Sequence, residues 1–315
     1  VYLLIVTASI PFIALYNGGA AIFRAMGNSE VSMKVSLLMN AINVSGNAIL
    51  IYGFHCGTEG VAIPTLVSRF VAAFIIIKLL LKDKWTLHLE RTFRFNPDWS
   101  MIRKILSVGI PNGLENSMFQ LGKVLVLSLV STFGTYAIAA NAVSNVITLF
   151  SILPGQAICL AVTTVIARCV GAGDYEQAKY YNKKLILLTH IGMAITISIV
   201  FITLPFILKV YNLSEAASEA TRHIIWFHGC CAVLIWAESF TLPATFRACG
   251  DAKACMIIST VSMWIFRVGA SYILGRNLGL GVFGVWVAMI IDWAFRSLLF
   301  GIRYFSGKWK KHALV

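Results

Sequence analysis

Glu115 is the residue of this sequence with the clearest capacity for chemistry, because it lies in a largely apolar stretch that follows Arg103. At about 1.5 Å per helical residue, Glu115 is about 18 Å along a helix from Arg103, near the middle of a bilayer. Pro111 deprives the Ser107 carbonyl of its helical partner. We expect Glu115 and the Ser107 carbonyl to bind Na⁺, or Glu115 to bind a proton. The alternative is a structural ion pair with a cation from a neighbouring helix.

Glu238 is a second acid in an apolar stretch, with Trp236 and Phe240 close by in the sequence. Its carboxylate could hold a cationic ligand or a bound cation, and an interhelical ion pair is an equally good interpretation. Asn141 and Asn145 lie one turn apart on another helix. They are expected to line the same cavity as Glu238 or to hydrogen bond between helices.

Two further pairs of residues have simpler interpretations. Met118 and Phe119 are candidates for an adaptable ligand-contacting wall, although Met and Phe in helices more often contribute ordinary packing. Asp292 and Arg296 have the i, i+4 spacing and the acid-to-base order that favour an ion pair on one helix face. We therefore expect Asp292 and Arg296 to form a structural pair.

Enzyme chemistry has no support in the sequence. It contains no Walker A motif, no H-E-x-x-H and no G-x-S-x-G. The G-x-G-x-x-G match at 279–284 follows no predicted strand and belongs to no βαβ unit. The seven cysteines include no pair at metal-ligand spacing. We expect neither an enzyme nor a cofactor, and no metal beyond Na⁺ at Glu115.

Membrane-spanning helices must position these residues. Of the 315 residues, 58% are hydrophobic and only 12% are charged, whereas soluble domains carry about 25% charged residues. Apolar stretches of about 20 residues recur, and each can cross a hydrocarbon core of about 30 Å as a helix. The sequence therefore predicts an all-α, polytopic membrane protein with about nine spans. They are 1–23, 31–54, 60–81, 101–131, 136–168, 185–208, 223–246, 254–274 and 282–303.

The net charge of +13 comes largely from Lys and Arg clusters at the ends of these spans. This is the positive-inside pattern, so the basic segments and the C-terminus should be cytoplasmic. The basic residues form no groove interleaved with aromatic residues, so nucleic acid is not an expected partner. The polar segment 82–100 is predicted to be a cytoplasmic linker, in which Asn96-Pro97-Asp98 caps the next helix.

The sequence also contains an internal repeat. FRAMGN at 23–28 recurs as FRACGD at 246–251, an offset of 223 residues (247 − 24). GTEGV at 57–61 corresponds to GVFGV at 281–285, an offset of 224 (284 − 60). The glycines can end helices with a positive φ, and the arginines can pair with last-turn carbonyls and lipid phosphate, with gating as the alternative role. The residues assigned to structural turns are Arg24, Gly27, Arg247, Gly250, Asp251, Gly171 and Asp174.

The repeat predicts an architecture. Both copies of the turn lie on the cytoplasmic side, so the two repeats are parallel. The second repeat begins near Asn96 and contains six spans, so the first should also contain six, of which three would precede Val1. We expect a twelve-helix, two-lobe bundle. Residues 1–81 would be the last three helices of the first lobe, 82–100 the linker, and 101–315 a complete second lobe.

Further motifs accompany the paired turns. They are Gly109-Ile110-Pro111 followed by Glu115, Gly171-Ala172-Gly173-Asp174-Tyr175, and Gly284-Val285-Trp286 with Asp292-Trp293 and Arg296. Their order along the whole chain resembles that of the multidrug and toxic compound extrusion (MATE) family. The resemblance implies a two-lobe antiporter of the plasma membrane, which exports organic, often cationic compounds in exchange for Na⁺ or H⁺.

In that interpretation, the residues discussed above divide into two groups. Glu115 and Ser107 would bind the coupling ion. The substrate cavity would be lined by Glu238, Asn141, Asn145, Met118 and Phe119. A lipid-linked precursor flippase of the same superfamily is the alternative, and it would require a strongly cationic cavity. Small organic substrates and membrane lipids are the expected partners, and we expect a monomer.

Overall fold

The computed structural model describes residues 1–89 and 97–312. The chain divides into two compact units, Val1–Asn96 and Pro97–Val315. Within the described ranges there is no strand, and the long elements are nine helices. They are α1 (Tyr2–Ala25), α2 (Ser29–Gly53), α3 (Glu59–Leu80), α4 (Trp99–Ser131), α5 (Thr135–Gly171), α6 (Tyr175–Tyr211), α7 (Glu215–Ala248), α8 (Ala252–Asn277) and α9 (Gly281–Phe305).

The predicted all-helical, multi-pass membrane class is confirmed, and the helices that could span a membrane number eight in the described ranges. The predicted ninth span, 101–131, is a continuous helix of 33 residues, α4. It is less apolar than the other eight because charged and amide side chains interrupt its apolar residues. These polar residues include Asn112, Glu115, Asn116, Gln120 and Lys123. The least apolar helix is therefore the one that carries the candidate ion-binding acid.

In the first unit, α3 is the helix against which α1 and α2 pack. The α1 helix is interrupted at Ser9, whose hydroxyl donates to the Val6 carbonyl at 2.6 Å. Arg69 on α3 donates to the same hydroxyl at 2.7 Å, so a cation within a span has a polar partner. Phe23 and Ile76 are fully buried between the helices. The predicted linker begins in this unit, and its residues 90–96 lie outside the described ranges.

In the second unit, α5 packs along α6 and α7, α8 packs against α4, and α9 packs against α7 and α8. One core cluster is built around three tryptophans, Trp236, Trp286 and Trp293. Another contains Phe246 and Phe300. Many large apolar side chains point away from these cores, such as Ile202 at 79% exposure. Such a surface suits contact with lipid.

Two helices begin earlier than the sequence predicts. The α6 helix begins at Tyr175 rather than at 185, and α7 begins at Glu215 rather than at 223. Asp174 caps α6 by accepting from the Gln177 amide at 2.8 Å, and Ser214 caps α7. Both helices have a polar first part that hydropathy cannot distinguish from a loop, so only their capping residues indicate the true start.

Three turns at the predicted cytoplasmic ends share one backbone. Gly27 (φ +84°), Gly173 (φ +75°) and Gly250 (φ +84°) take the left-handed conformation that follows a helix end. In each turn, the next residue donates its amide to the carbonyl five positions earlier. These bonds are Asn28 to Phe23 (2.9 Å), Asp174 to Cys169 (3.0 Å) and Asp251 to Phe246 (2.9 Å). Gly171 was assigned to the second turn, but it is the last residue of α5 and Gly173 takes the positive φ.

The other ends of α2 and α8 also correspond. Each helix finishes in a π-helical segment, Ile49–Gly53 in α2 and Tyr272–Asn277 in α8. Two backbone bonds of the first unit recur in the second at the offset of 224 residues. Phe54 to Ile49 (3.2 Å) corresponds to Leu278 to Ile273 (2.9 Å), and Cys56 to Leu50 (2.9 Å) corresponds to Leu280 to Leu274 (3.2 Å). The internal repeat is thus present in the backbone as well as in the sequence.

Candidate functional site

Glu115 lies in the middle of α4 and is only 8% exposed. Its two carboxylate oxygens accept from the same Nη2 of Arg247, at 2.9 and 3.0 Å. An ion pair with a cation from a neighbouring helix was the alternative to an ion-binding role for Glu115. The geometry contains that pair, and it connects two helices whose paired residues are 132 positions apart.

Arg247 lies in the last turn of α7, immediately before the turn at Gly250. A helix C-terminus carries partial negative charge, which favours a cation at this position. The Nε atom of Arg247 is buried and makes no hydrogen bond within the described residues. The sequence assigned Arg247 to a structural turn. It also supplies the positive charge that pairs with Glu115 inside the unit.

A cavity of about 320 Å³ opens beside this pair. Arg296 on α9 also lines the cavity, with its guanidinium carbon 4.7 Å from the centre of the Phe240 ring. Phe240 in turn stacks on Trp236, with ring centres 5.0 Å apart. Polar side chains complete the lining, namely Asn112, Asn116, Gln156 and Thr163. The cavity thus combines one carboxylate, two guanidinium groups and an aromatic wall.

The predicted Asp292–Arg296 ion pair is wrong. Both residues are buried, but no nitrogen of Arg296 approaches an Asp292 oxygen within 4.0 Å, and no such pair occurs among the described salt bridges of α9. Asp292 Oδ1 accepts from Ser262 on α8 at 2.5 Å. Arg296 turns toward Phe240 and donates to the Ser239 carbonyl at 3.4 Å. The spacing allows the pair, but each side chain has a partner on a different helix.

Ser107 does not lie beside Glu115, contrary to prediction. It is exposed, and its hydroxyl donates to the Lys104 carbonyl at 2.7 Å. It lines a separate groove near the start of α4 rather than the Glu115 cavity. Eight residues of helix separate the two, which is about 12 Å. A carbonyl freed by Pro111 is therefore too far along the helix to share an ion with this carboxylate.

Glu238 lies in a π-helical segment of α7, Ala237–Thr241, and pairs with His190 of α6. Its Oε1 is 3.0 Å from His190 Nε2. The other ring nitrogen, Nδ1, is 2.6 Å from the Val233 carbonyl. A carbonyl can only accept, so Nδ1 carries a hydrogen, and a further hydrogen must lie between Nε2 and Glu238. The two side chains therefore hold one exchangeable proton between them.

Asn141 and Asn145 do not share a cavity with Glu238. They line a second cavity of about 220 Å³, together with Lys123, Arg267 and Trp286. Glu238 lines neither this cavity nor the one beside Glu115. The sequence placed these three residues in one cavity, but the amides face α4 and α9 while Glu238 faces α6.

Phe119 lines the Glu115 cavity and lies close to two cations of the 220 Å³ cavity, Lys123 and Arg267. Its ring lies 4.9 Å from Lys123 Nζ and 5.3 Å from the Arg267 guanidinium carbon, and it also lines the Glu115 cavity. Both cations therefore lie close to the same aromatic ring. Met118, the neighbouring candidate, is half-buried and lines neither cavity.

Sequence reasoning did not assign His190 or Arg247 to the sites in which they take part. His190 lies in the most apolar span, and a titratable residue there is itself a signal of function. Arg247 had such a signal too, since its repeat partner Arg24 marks the same turn. Their acidic partners are 48 and 132 residues away, so only the fold could identify the pairs.

Comparisons with known proteins all find the MatE family or transporters. A model of the MatE family matches residues 111–273, just over half of the chain. The chain is 27% identical over 302 residues to the probable multidrug resistance protein NorM of Thermotoga maritima, an alignment that covers 94% of this chain and 64% of that protein. It is 26% identical to the uncharacterized transporter YisQ of Bacillus subtilis, over 96% of this chain and 68% of that protein.

The fold is similar to that of a solved structure as well. It matches a crystal structure of MATE in the straight conformation with a TM-score of 0.89, at 21% identity, over 98% of this chain and 70% of that chain. At this identity the likeness concerns the fold alone. The chain spans roughly two thirds of the length of the proteins that it matches, and less than two thirds of the Thermotoga protein.

Proposed function

Because this chain belongs to the MatE family, whose members are transporters and not enzymes, we propose that it exports small organic compounds across a membrane in exchange for a coupling cation. The observation that carries the proposal is the buried Glu115–Arg247 pair at the wall of the 320 Å³ cavity. A charge pair inside a span is costly, at about 2.5–3.5 kcal/mol per charge on insertion scales. Such a pair calls for a functional explanation, and ion exchange at Glu115 provides one.

Exchange at Glu115 follows from the charges around it. A proton or Na⁺ that binds the carboxylate neutralises it, and Arg247 then loses its partner. Since Glu115 belongs to α4 and Arg247 to α7, the bond between these helices weakens when the cation binds and forms again when it leaves. Occupancy of one carboxylate would thereby change the packing of two helices at the cavity.

A cationic substrate would compete for the same carboxylate. Phe119, Trp236 and Phe240 offer ring faces for an aromatic or apolar body, and aromatic faces also attract organic cations. Substrate and coupling ion then exclude each other from Glu115 electrostatically. Mutual exclusion at one site, combined with alternating access of the cavity to the two sides of the membrane, would couple the two cations in opposite directions.

A proton is the coupling ion that we favour, because a second pair in the unit is arranged to hold one. The Val233 carbonyl fixes the hydrogen on His190 Nδ1, which leaves the proton between Nε2 and Glu238 as the one that exchanges. Both side chains of this pair are partly exposed, at 27% and 32%. Na⁺ at Glu115, with oxygen ligands from neighbouring amides, is the competing assignment.

We further infer that the C-terminus is cytoplasmic, that the protein is a monomer of the plasma membrane, and that 82–100 is a cytoplasmic linker. The basic residues at the predicted inner ends of the helices support this orientation. The relatives do not favour the lipid-linked precursor flippase that the sequence left as an alternative.

Glu115→Gln in the full-length protein tests the proposal. The substitution keeps the shape of the side chain and removes the charge to which a cation binds, so we expect ion-driven ethidium efflux from membrane vesicles to fall by at least about tenfold. Glu176→Gln is the matched control, because Glu176 is an exposed acid near the start of α6, paired with Lys179. Equal insertion of both variants must be verified by immunoblot. Wild-type efflux in Glu115→Gln would overturn the assignment.

The coupling ion is tested by imposing a pH gradient or a Na⁺ gradient alone on the same vesicles. We expect the pH gradient to drive efflux, and we expect His190→Gln to reduce this pH-driven efflux because the shared proton is lost. Efflux driven by Na⁺ alone, and unchanged in His190→Gln, would exclude the proton and favour Na⁺ at Glu115.

A further inference from the structure

The 220 Å³ cavity has properties that differ from those of the cavity beside Glu115. It lies among α4, α5, α8 and α9, and its polar lining consists of Lys123, Asn141, Asn145, Arg267 and Trp286. We propose that this cavity binds the anionic oxygen group, such as a carboxylate, of an amphiphilic organic molecule. The proposal extends the proposed export function by naming a chemical class of substrate, but the site is separate from Glu115.

The charge of the cavity is the first argument. Lys123 and Arg267 both line it, and no acid does. Within the described residues, no carboxylate oxygen lies within 4.0 Å of the charged nitrogens of either residue, since the salt bridges of this unit involve other cations. Asp292 attracts Arg267, but it attracts Arg296 as well and does not line the cavity. Two cations side by side in a membrane-spanning bundle repel each other, and a bound anion would offset that repulsion.

The hydrogen bonds around Asn141 are the second argument. The indole nitrogen of Trp286 donates to Asn141 Oδ1 at 3.2 Å, and an indole can only donate. This bond fixes the orientation of the amide, so the NH₂ group of Asn141 remains as a donor. Asn145 Nδ2 donates to the backbone carbonyl of Asn141 at 2.7 Å. Asn141 Oδ1 already accepts from Trp286, so Asn145 Oδ1 is the only side-chain oxygen of the two amides without a hydrogen bond. The cavity therefore offers many donors and few acceptors, which suits an oxyanion.

The apolar lining indicates what else the ligand carries. Val126, Leu127, Val285 and Met289 form the rest of the wall. The ring of Phe119 lies close to both cations. A volume of about 220 Å³ holds roughly seven water molecules at about 30 Å³ each. That is enough for a carboxylate and the first carbons of its body, while the remainder of the ligand would lie along the apolar wall.

A pair of probes with one ring system and opposite charges tests the proposal directly. Binding of 2-naphthoate and of 2-naphthylmethylammonium to the purified full-length protein is measured by isothermal titration calorimetry in phosphatidylcholine nanodiscs. We expect naphthoate to bind at least about tenfold more tightly than the ammonium probe. In the double variant Lys123→Gln, Arg267→Gln, naphthoate affinity should fall at least about tenfold. Because the assay measures binding, its outcome does not depend on whether the protein is an ion-coupled exporter.

Two controls keep the result interpretable. Arg276→Gln removes one positive charge near the end of α8, where Arg276 lines another groove, and should leave naphthoate affinity unchanged. Lys123→Arg with Arg267→Lys retains both charges and should retain naphthoate binding. Loss of naphthoate binding in this folded variant would contradict a site defined by its charge. Equal affinity for the two probes, or wild-type naphthoate affinity in the folded double Gln variant, would overturn the proposal.

The source of the anion is resolved by repeating the titration in phosphatidylglycerol nanodiscs. If naphthoate affinity is the same in both lipids, the site takes soluble organic anions. If phosphatidylglycerol weakens naphthoate binding in both the wild type and Arg276→Gln, but not the residual binding of the double Gln variant, the anionic group is that of a lipid headgroup.

Discussion

The two copies of the FRA-x-G turn have the same backbone and different side-chain partners. Gly27 and Gly250 both have φ +84°, and Phe23 and Phe246 are both fully buried. Arg24 donates to the hydroxyl of Ser32 on the next helix at 3.2 Å. Arg247 instead reaches the carboxylate of Glu115 on α4.

This difference separates the structural role of the turn from its electrostatic role. The glycine and the buried phenylalanine end the helix in both copies, so they account for the repeat. Only the second copy places its arginine on a titratable group, and a charge-assisted bond is roughly twice as strong as a neutral one. The same six-residue turn therefore ends a helix in both units, and in the second unit its arginine also pairs with the carboxylate of Glu115.

The largest effect should come from Arg247→Ala. It leaves the 8% exposed Glu115 without its cation, and the removal of one member of a buried pair costs about 3–5 kcal/mol. We expect a value near the lower end, about 3 kcal/mol, because the Arg247 side chain is 25% exposed. Arg24→Ala should cost no more than about 1 kcal/mol, since only a bond to a neutral hydroxyl is lost. Urea unfolding in detergent micelles measures both, and equal losses would contradict the comparison.

The residue that follows the glycine should show a smaller difference. Asp251 is 4% exposed and accepts from Arg303 on α9 at 2.6 and 2.9 Å. Asn28 caps α2 by accepting from the Val31 amide at 3.4 Å. We expect Asp251→Ala to cost about 2 kcal/mol and Asn28→Ala about 1 kcal/mol. Thermal unfolding followed by circular dichroism compares the two. A larger loss for Asn28→Ala would show that capping, rather than the ion pair, dominates.

The glycines should show the smallest difference between the copies. Alanine at Gly27 or Gly250 must adopt a φ that an L side chain rarely takes, so each substitution should cost about 1 kcal/mol. The two values should agree within error because the backbones are equivalent. Gly171→Ala is the control: its added Cβ meets no atom within 4 Å and needs no positive φ, so stability should hold or rise slightly. Unequal losses at Gly27 and Gly250, measured in the same urea titrations, would show that the turns differ in more than their arginines.

The helices were predictable because the interior of a membrane forces apolar residues into stretches of spanning length. The polar beginnings of α6 and α7 were not, because Tyr175 and Glu215 follow capping residues that are equally common in loops. The sequence also predicted α4 as a span, although it is less apolar than the others.

The site was predictable only as single residues. Glu115 attracts attention as a charge in an apolar stretch, but its partner comes from α7, 132 positions away, and no local pattern encodes that contact. The pair Asp292 and Arg296 shows the converse. Their spacing favours an ion pair, but Asp292 accepts from Ser262 on α8 and Arg296 packs on Phe240 of α7 instead.

The π-helical segments have a consequence for how this chain should be aligned with its relatives. A π turn holds one residue more than an α turn of similar rise, so the residues after it are displaced by about 100° around the axis. In α8, Met263–Gly269 separates Ser262, which contacts Asp292, from the part of the helix that ends at Arg276. A homologue with an uninterrupted α-helix here would need a one-residue gap inside the helix. Without that gap, an alignment would match residues of one face with residues of another along the rest of α8.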